Sequence, residues 1–347
     1  MKKSSSKRIT AVLTAVILLV LCALPLTANA AGSVRITELI PGGMAFGVKF
    51  FTEGVIVLGT TGVETASGLC SPAKDAGLNS GDIIIRAGGK EFETASELTL
   101  IISGCAGRSV VLDLIRDERE ISLEVTPVRE LESGEYRIGV LVRDSTAGIG
   151  TVTFIDPETL DFGGLGHGIY DSETALLLPL KSGTIVDVDI SSVEKSRKNS
   201  PGELHGEFSD AAEGELWANT DQGVFGRYFK MPYDVGKALP VSSRAELTAG
   251  KAKMLTTLND GEVKAYDIEI ERVYSASGST KNFLLRVTDK TLIEKAGGIV
   301  QGMSGSPIIK DGKLIGAVTH VLVNDPIHGY GICIENMLDS AFDTECA

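Results

Sequence analysis

The chain has 347 residues with 43% hydrophobic and 23% charged side chains, room for two globular domains, which excludes a collagenous, wholly disordered or multi-span membrane protein. With 46 acidic against 33 basic residues the net charge is −13, which disfavours binding to a nucleic-acid backbone. Forty glycines and only 5% aromatics predict many tight turns and short strands, a mainly β chain.

Residues 1–30 begin with Lys2, Lys3, Lys7 and Arg8 and no acid, run apolar from Ile9 to Leu26, and end in Ala28-Asn29-Ala30, the small-x-small pattern of a signal-peptidase site. This predicts an export signal or, since about 20 apolar residues span a bilayer, an uncleaved membrane anchor. Either puts the body outside the cytoplasm, and loss of the four basic residues takes the net charge to −17. Cys22 lies in this segment. Cys70, Cys105, Cys333 and Cys346 lack metal-ligand spacing, and the sequence leaves open whether Cys70–Cys105 and Cys333–Cys346 pair or stay free.

Short apolar segments follow at Val34 to Ile40, Phe46 to Phe51 and Gly54 to Leu58, then a small-residue helix from Ser71 that stops at Gly77 and turns through Ser80-Gly81-Asp82 into a strand. A helix near Ala95 to Ile102 and strands at Val110 to Ile115 and Ile121 to Val125 complete a compact unit over 34–128. With its core Ala76-Gly77-Leu78-Asn79-Ser80-Gly81-Asp82-Ile83-Ile84, this unit resembles a PDZ domain. The resemblance implies that extended peptide is added as a strand, and Gly42, Gly43, Phe46 and Gly47 are the candidate loop and receiving strand. A plain turn at Gly42-Gly43 is the alternative.

Arg129 to Tyr136, with Ser133-Gly134, reads as a connection into a second domain, 129–347. Strands are expected at Ile138 to Val142, Gly150 to Ile155, Thr174 to Leu178 and Thr184 to Ile190. Lys195 to Asp221 reads as polar loop, and Asn259-Asp260-Gly261 as a hairpin turn before the alternating strand around Tyr266, Ile268 and Ile270.

The sharpest motif is Gly302-Met303-Ser304-Gly305-Ser306-Pro307, followed by strand, Asp311-Gly312 turn and strand. It resembles the nucleophile region of chymotrypsin-like serine proteases: a glycine turn lifts the Ser304 hydroxyl out while the amides of Gly302 and Ser304 form an oxyanion hollow. A serine needs a base. His167, among Gly163, Gly164, Gly166 and Gly168, is the first candidate, and His320, close in sequence to the nucleophile, is the rival; His205 and His328 read as surface residues. No spacing suggests a metal or nucleotide cofactor.

Together, Gly148-Ile149-Gly150-Thr151-Val152-Thr153-Phe154-Ile155-Asp156-Pro157, Leu165-Gly166-His167-Gly168 and Gly297-Gly298-Ile299-Val300-Gln301-Gly302-Met303-Ser304-Gly305-Ser306-Pro307 resemble the stage IV sporulation protein B family of signalling serine peptidases. The resemblance implies a chymotrypsin-like double β-barrel behind the PDZ domain, with Ser304 as nucleophile, His167 as base and Asp289 as the acid. It further implies export into the forespore intermembrane space, self-cleavage, and cutting of a membrane-bound regulator of a membrane-embedded protease, so that a late sigma-factor precursor is processed. Asp289 is only 15 residues before Ser304, so Asp187, Asp189 and Asp210 stay open as alternative acids. The rival reading is a catalytically inactive PDZ-containing scaffold of the envelope.

Overall fold

A computed structural model describes residues 37–345 apart from 118, 233–234, 260 and 275–278. The export signal or anchor, Asp260 and Cys346 thus lie outside the described residues. Among the described residues no helix is long and apolar enough to cross a membrane.

Glu38–Pro41 (β1) leads into the long strand Ala45–Thr60 (β2), the hairpin Val63–Thr65 (β3) and Gly68–Cys70 (β4), and the one-turn helix Pro72–Asp75 (α1). Ile83–Ala87 (β5), Lys90–Glu91 (β6), the helix Ala95–Gly104 (α2), Val110–Arg116 (β7) and Arg119–Val125 (β8) follow. Val128–Arg129 (β9) pairs with Tyr136–Arg137 (β10), and the 16-residue strand Val140–Ile155 (β11) comes next. Then come Asp161–Gly164 (β12), Leu180–Val193 (β13), Leu204–Thr220 (β14), Gly223–Tyr228 (β15) and Leu239–Pro240 (β16). The last part comprises Gly250–Thr257 (β17), Val263–Val273 (β18), Phe283–Val287 (β19), helix Lys290–Ala296 (α3), Pro307–Lys310 (β20), Lys313–Val321 (β21), His328–Cys333 (β22) and helix Ile334–Glu345 (α4).

The fold is mainly β. Strands β17, β18, β19, β22, β21 and β20 close into a barrel around Met254, Phe283, Leu285, Ile308 and Val318. A twelve-stranded sheet runs β16-β1-β11-β12-β15-β14-β13-β2-β5-β7-β8, with β6 beside β5. Because β2 also pairs with β11, the strands from β11 through β12, β15, β14 and β13 to β2 return on themselves, enclosing Phe46, Val48, Phe50, Phe162 and Val224.

Strand β2 serves two cores. Phe46, Val48 and Phe50 face that enclosed core, while Val55 and Val57 pack with Ile84, Leu98, Leu112 and Leu114 of the smaller N-terminal unit. The change of core happens at Thr52-Glu53-Gly54. Gly54 has φ +72°, and a Cβ there would lie 2.5 Å from the Ile84 carbonyl oxygen, so only glycine makes this bend. The buried Thr52 hydroxyl ties it down, its single proton shared between Gly54 O (2.7 Å) and Asp144 O (3.1 Å).

Several expectations need correction. Lys195 to Asp221 is not mainly loop: its second half is β14, whose Leu204, Leu216 and Ala218 are buried and which pairs with β13 and β15. Thr174 to Leu178 is not a strand, because the buried Asp171 carboxylate gathers the amides of Glu173 and Thr174 and the Thr174 hydroxyl into a turn. Cys70, Cys105 and Cys333 are free thiols.

The residues expected to receive a peptide are paired within the fold. The amides of Gly42 and Gly43 donate to Thr153 O (3.0 Å) and Val152 O (2.8 Å), while Phe46 and Gly47 lie inside the sheet, flanked by β11 and β13. A strand with neighbours on both sides has no free backbone groups to offer a peptide.

Candidate active site

The loop Gly302–Ser306 joins the end of α3 to β20 and lies against the end of β11. Gly302 (φ +95°) and Gly305 (φ +96°) are left-handed, and a Cβ on Gly305 would stand 2.0 Å from the Thr151 carbonyl oxygen. Two fully buried threonines of β11 hold the loop: Thr151 Oγ1 donates to Gly302 O (2.8 Å) and Thr153 Oγ1 to Gly305 O (2.7 Å). The Thr151 amide donates to Ser304 O (2.9 Å), and the Gly305 amide to Val318 O (2.8 Å). With these carbonyls turned inward, the amides of Gly302 and Ser304 have no acceptor among the described residues. Unbonded amides two residues apart on a glycine loop are donors available to an oxyanion.

His167 follows β12 after a turn in which Leu165 (φ +64°) and Gly166 (φ +68°) are both left-handed. Its Nδ1 lies 2.8 Å from Gly168 O, which makes Nδ1–H the donor and leaves Nε2 with a lone pair. Burial pushes its pKa below the ordinary imidazole value, opposed by the Gly168 bond. The His320 ring lies 5.0 Å away, tilted by 36°. Desolvation, then the neighbouring His167 and the positive Lys281, lower His320 to about 4. Both rings are therefore neutral at pH 7.

Ser304, His167, His320 and Gly302 line one cavity of about 500 Å³, walled by apolar residues including Val48, Ile149, Leu165 and Ile169, with no acidic or basic side chain other than the two histidines. The Ser304 hydroxyl donates to Thr319 O (2.8 Å) rather than to an imidazole.

Asp289, expected as the triad acid, is not among the residues that line this cavity. Its Oδ1 caps α3 by accepting from the amides of Thr291 (2.9 Å) and Leu292 (3.1 Å), and Oδ2 accepts from the Asp267 amide (3.3 Å). Asp187, Asp189 and Asp210 are exposed and also lie off the cavity lining. His205 stands beside Glu194, and His328 between Asp325 and Glu271. The carbonyl of Gly168 is the group that faces the His167 Nδ1. Sequence reading missed Thr151 and Thr153; their one signal is the alternation Thr151-Val152-Thr153, which puts both hydroxyls on one face of a strand.

A second cavity, of about 200 Å³, separates α2 from the start of β11 and is lined by Leu98, Ile102, Ile138, Gly139, Val140 and Val142 among others. Residues Val140–Arg143 pair with β2 alone among the described strands, so their other edge faces this groove.

Residues 134–338 match the family described as SpoIVB peptidase S55. The mll0638 protein of Mesorhizobium japonicum, named as a zinc metalloprotease, is 29% identical over 79 residues, 23% of this chain; the chain spans about a fifth (21%) of that relative's length. Among solved structures, the PDZ domain of the SdrC-like protein of Listeria monocytogenes is 22% identical, covering 26% of this chain and 87% of that domain at a TM-score of 0.22. An inactive form of Rv3671c from M. tuberculosis is 13% identical, covering 57% of this chain and 82% of its own at a TM-score of 0.33.

Proposed function

The chain belongs to the SpoIVB peptidase S55 family, and from that premise we propose that it is an exported serine endopeptidase with Ser304 as nucleophile and His167 as general base. One observation carries this reading: a serine on a glycine loop shares a cavity with a neutral imidazole and two unbonded amides. In the reaction, Ser304 Oγ leaves Thr319 O and attacks the scissile carbonyl while His167 Nε2 takes its proton. The amides of Gly302 and Ser304 receive the oxyanion, and the imidazolium then protonates the leaving amine. The Gly168 carbonyl fixes the tautomer that presents Nε2.

In the same reading, residues 34–128 form a PDZ domain and residues 129–347 the peptidase, a double barrel made of the closed β11-to-β2 circuit and the β17–β22 barrel. Extended peptide adds to the open edge of Val140–Arg143 beneath α2, in place of Gly42–Gly47. The substrates are protein chains: the enzyme itself, and a membrane-bound regulator whose cutting leads to sigma-factor processing in the forespore intermembrane space.

The test is covalent labelling by a fluorophosphonate probe. Labelling of the wild type that disappears in Ser304→Ala and collapses in His167→Ala supports the proposal. A specific observation favours a rival: the Ser304 hydroxyl is spent on Thr319 and, among the described residues, no carboxylate bonds to His167. An unlabelled wild type that still binds peptide would make the protein an inactive scaffold.

A further inference from the structure

We propose that the cavity holding Ser304 also binds a transition-metal dication, zinc above all, through His167 and His320. The two ring centroids are 5.0 Å apart. Two imidazoles on one tetrahedral zinc, with Zn–N bonds of about 2.0–2.1 Å, place their ring centres roughly 5 Å apart, and the spacing of this pair matches that value. The lone pairs are free as well. His167 gives Nδ1–H to Gly168 O, the outer contact that orients a metal-binding histidine and leaves Nε2 for the ion. The ring nitrogens of His320 have no protein partner among the described residues.

The surroundings select the ion. With no carboxylate on the lining, the cavity suits an imidazole-seeking ion and offers little to magnesium or calcium, which need oxygen ligands. Two protein ligands give a reversible site, and water from the open cavity completes the coordination. An ion on His167 Nε2 removes the lone pair that would accept the Ser304 proton, so zinc restrains the enzyme. This consequence rests on the proposed peptidase reading; the binding does not.

Calorimetric titration of the full chain, free of any histidine tag, with zinc chloride at pH 7.5 tests the site. The expected result is one site of roughly micromolar affinity, weakened at least about tenfold in His167→Ala and in His320→Ala and kept in His328→Ala, with no binding of magnesium chloride. Absence of zinc binding would mean plain ring packing, and loss in His328→Ala with retention in His320→Ala would move the ion to Asp325 and Glu271; either overturns the proposal. A second measurement follows fluorophosphonate labelling, each protein against its own zinc-free rate: zinc slows the wild type, a chelator restores it, and His320→Ala no longer responds. Zinc held by both histidines in a protein whose Ser304 never labels would sink the peptidase reading and leave the site standing. A wild type that labels at an unchanged rate with zinc bound would sink the restraint.

Discussion

The hydroxyl of Thr151 donates to the carbonyl oxygen of Gly302 over 2.8 Å, joining residues 151 positions apart. This bond and that from the Thr151 amide to Ser304 O face two carbonyls into the protein, and the amides of Gly302 and Ser304 are left without acceptors among the described residues. Such a bond contributes only about 0.5–1.5 kcal/mol to stability, yet loss of one oxyanion donor costs about 10²–10³ in turnover. Thr151 should therefore matter more to rate than to folding. Thr151→Val is expected to lower kcat by at least about tenfold with KM little changed and Thr151→Ser to restore it; equal kcat in the two variants would assign Thr151 to packing alone.

Ser304 and His167 are expected to act as a unit. Their single alanine variants and the double variant should lose similar amounts of activity, because a hydroxyl without its base is nearly as inert as no hydroxyl. Strongly additive losses, or a fully active His167→Ala, would hand the role of base to His320.

Asp289 gives a prediction of opposite character. As the cap of α3 it should stabilise the fold: Asp289→Ala lowers stability by about 1 kcal/mol, whereas Asn, an equally good cap, leaves the melting temperature close to wild type. Turnover per folded molecule should survive both changes. A loss on the order of 10⁴ in Asp289→Asn with the fold intact would instead make it the triad acid.

The pH behaviour follows from the depressed imidazoles. Because His167 holds its proton less tightly than a free imidazole, the acid limb of kcat/KM should fall below pH ~6.5. His320 has a folded pKa of about 4, so between that and the ordinary value of ~6.5 the unfolded chain binds more protons. Stability should be full above that window and decline as pH falls through it, and His320→Gln should flatten the decline. Equal slopes of melting temperature against pH in the two proteins would contradict the assignment.

Cleavage should not require a basic side chain, since among the described residues no carboxylate lines the cavity and its walls are mainly apolar. Fragment masses from a mixed-sequence protein are expected to show cuts next to apolar residues. A strict Lys or Arg preference would show that an acid reaches the pocket.

The turns around Ser304 and His167 were legible in the residues themselves, because a left-handed φ at Gly302, Gly305 and Gly166 is a local demand that leaves glycine in the chain. The helix near Ala95 to Ile102 and the hairpin between β17 and β18 were legible too. What the sequence could not determine were relations between distant segments. Asp289 reads alike as a triad acid or a helix cap until the first amides of α3 are seen to donate to its Oδ1. Phe46 and Gly47 read as a peptide edge until β11 and β13 are found on their two sides, and the unpaired edge of Val140–Arg143 shows only once β2 is found as its one strand neighbour among the described residues. Thr151 and Thr153 signalled a strand and no more; the folding of β11 against a loop 151 residues away gave their hydroxyls a task. Turns depend on the φ and ψ of a few neighbours, whereas strand partners and buried acceptors are chosen by the packing of the whole sheet.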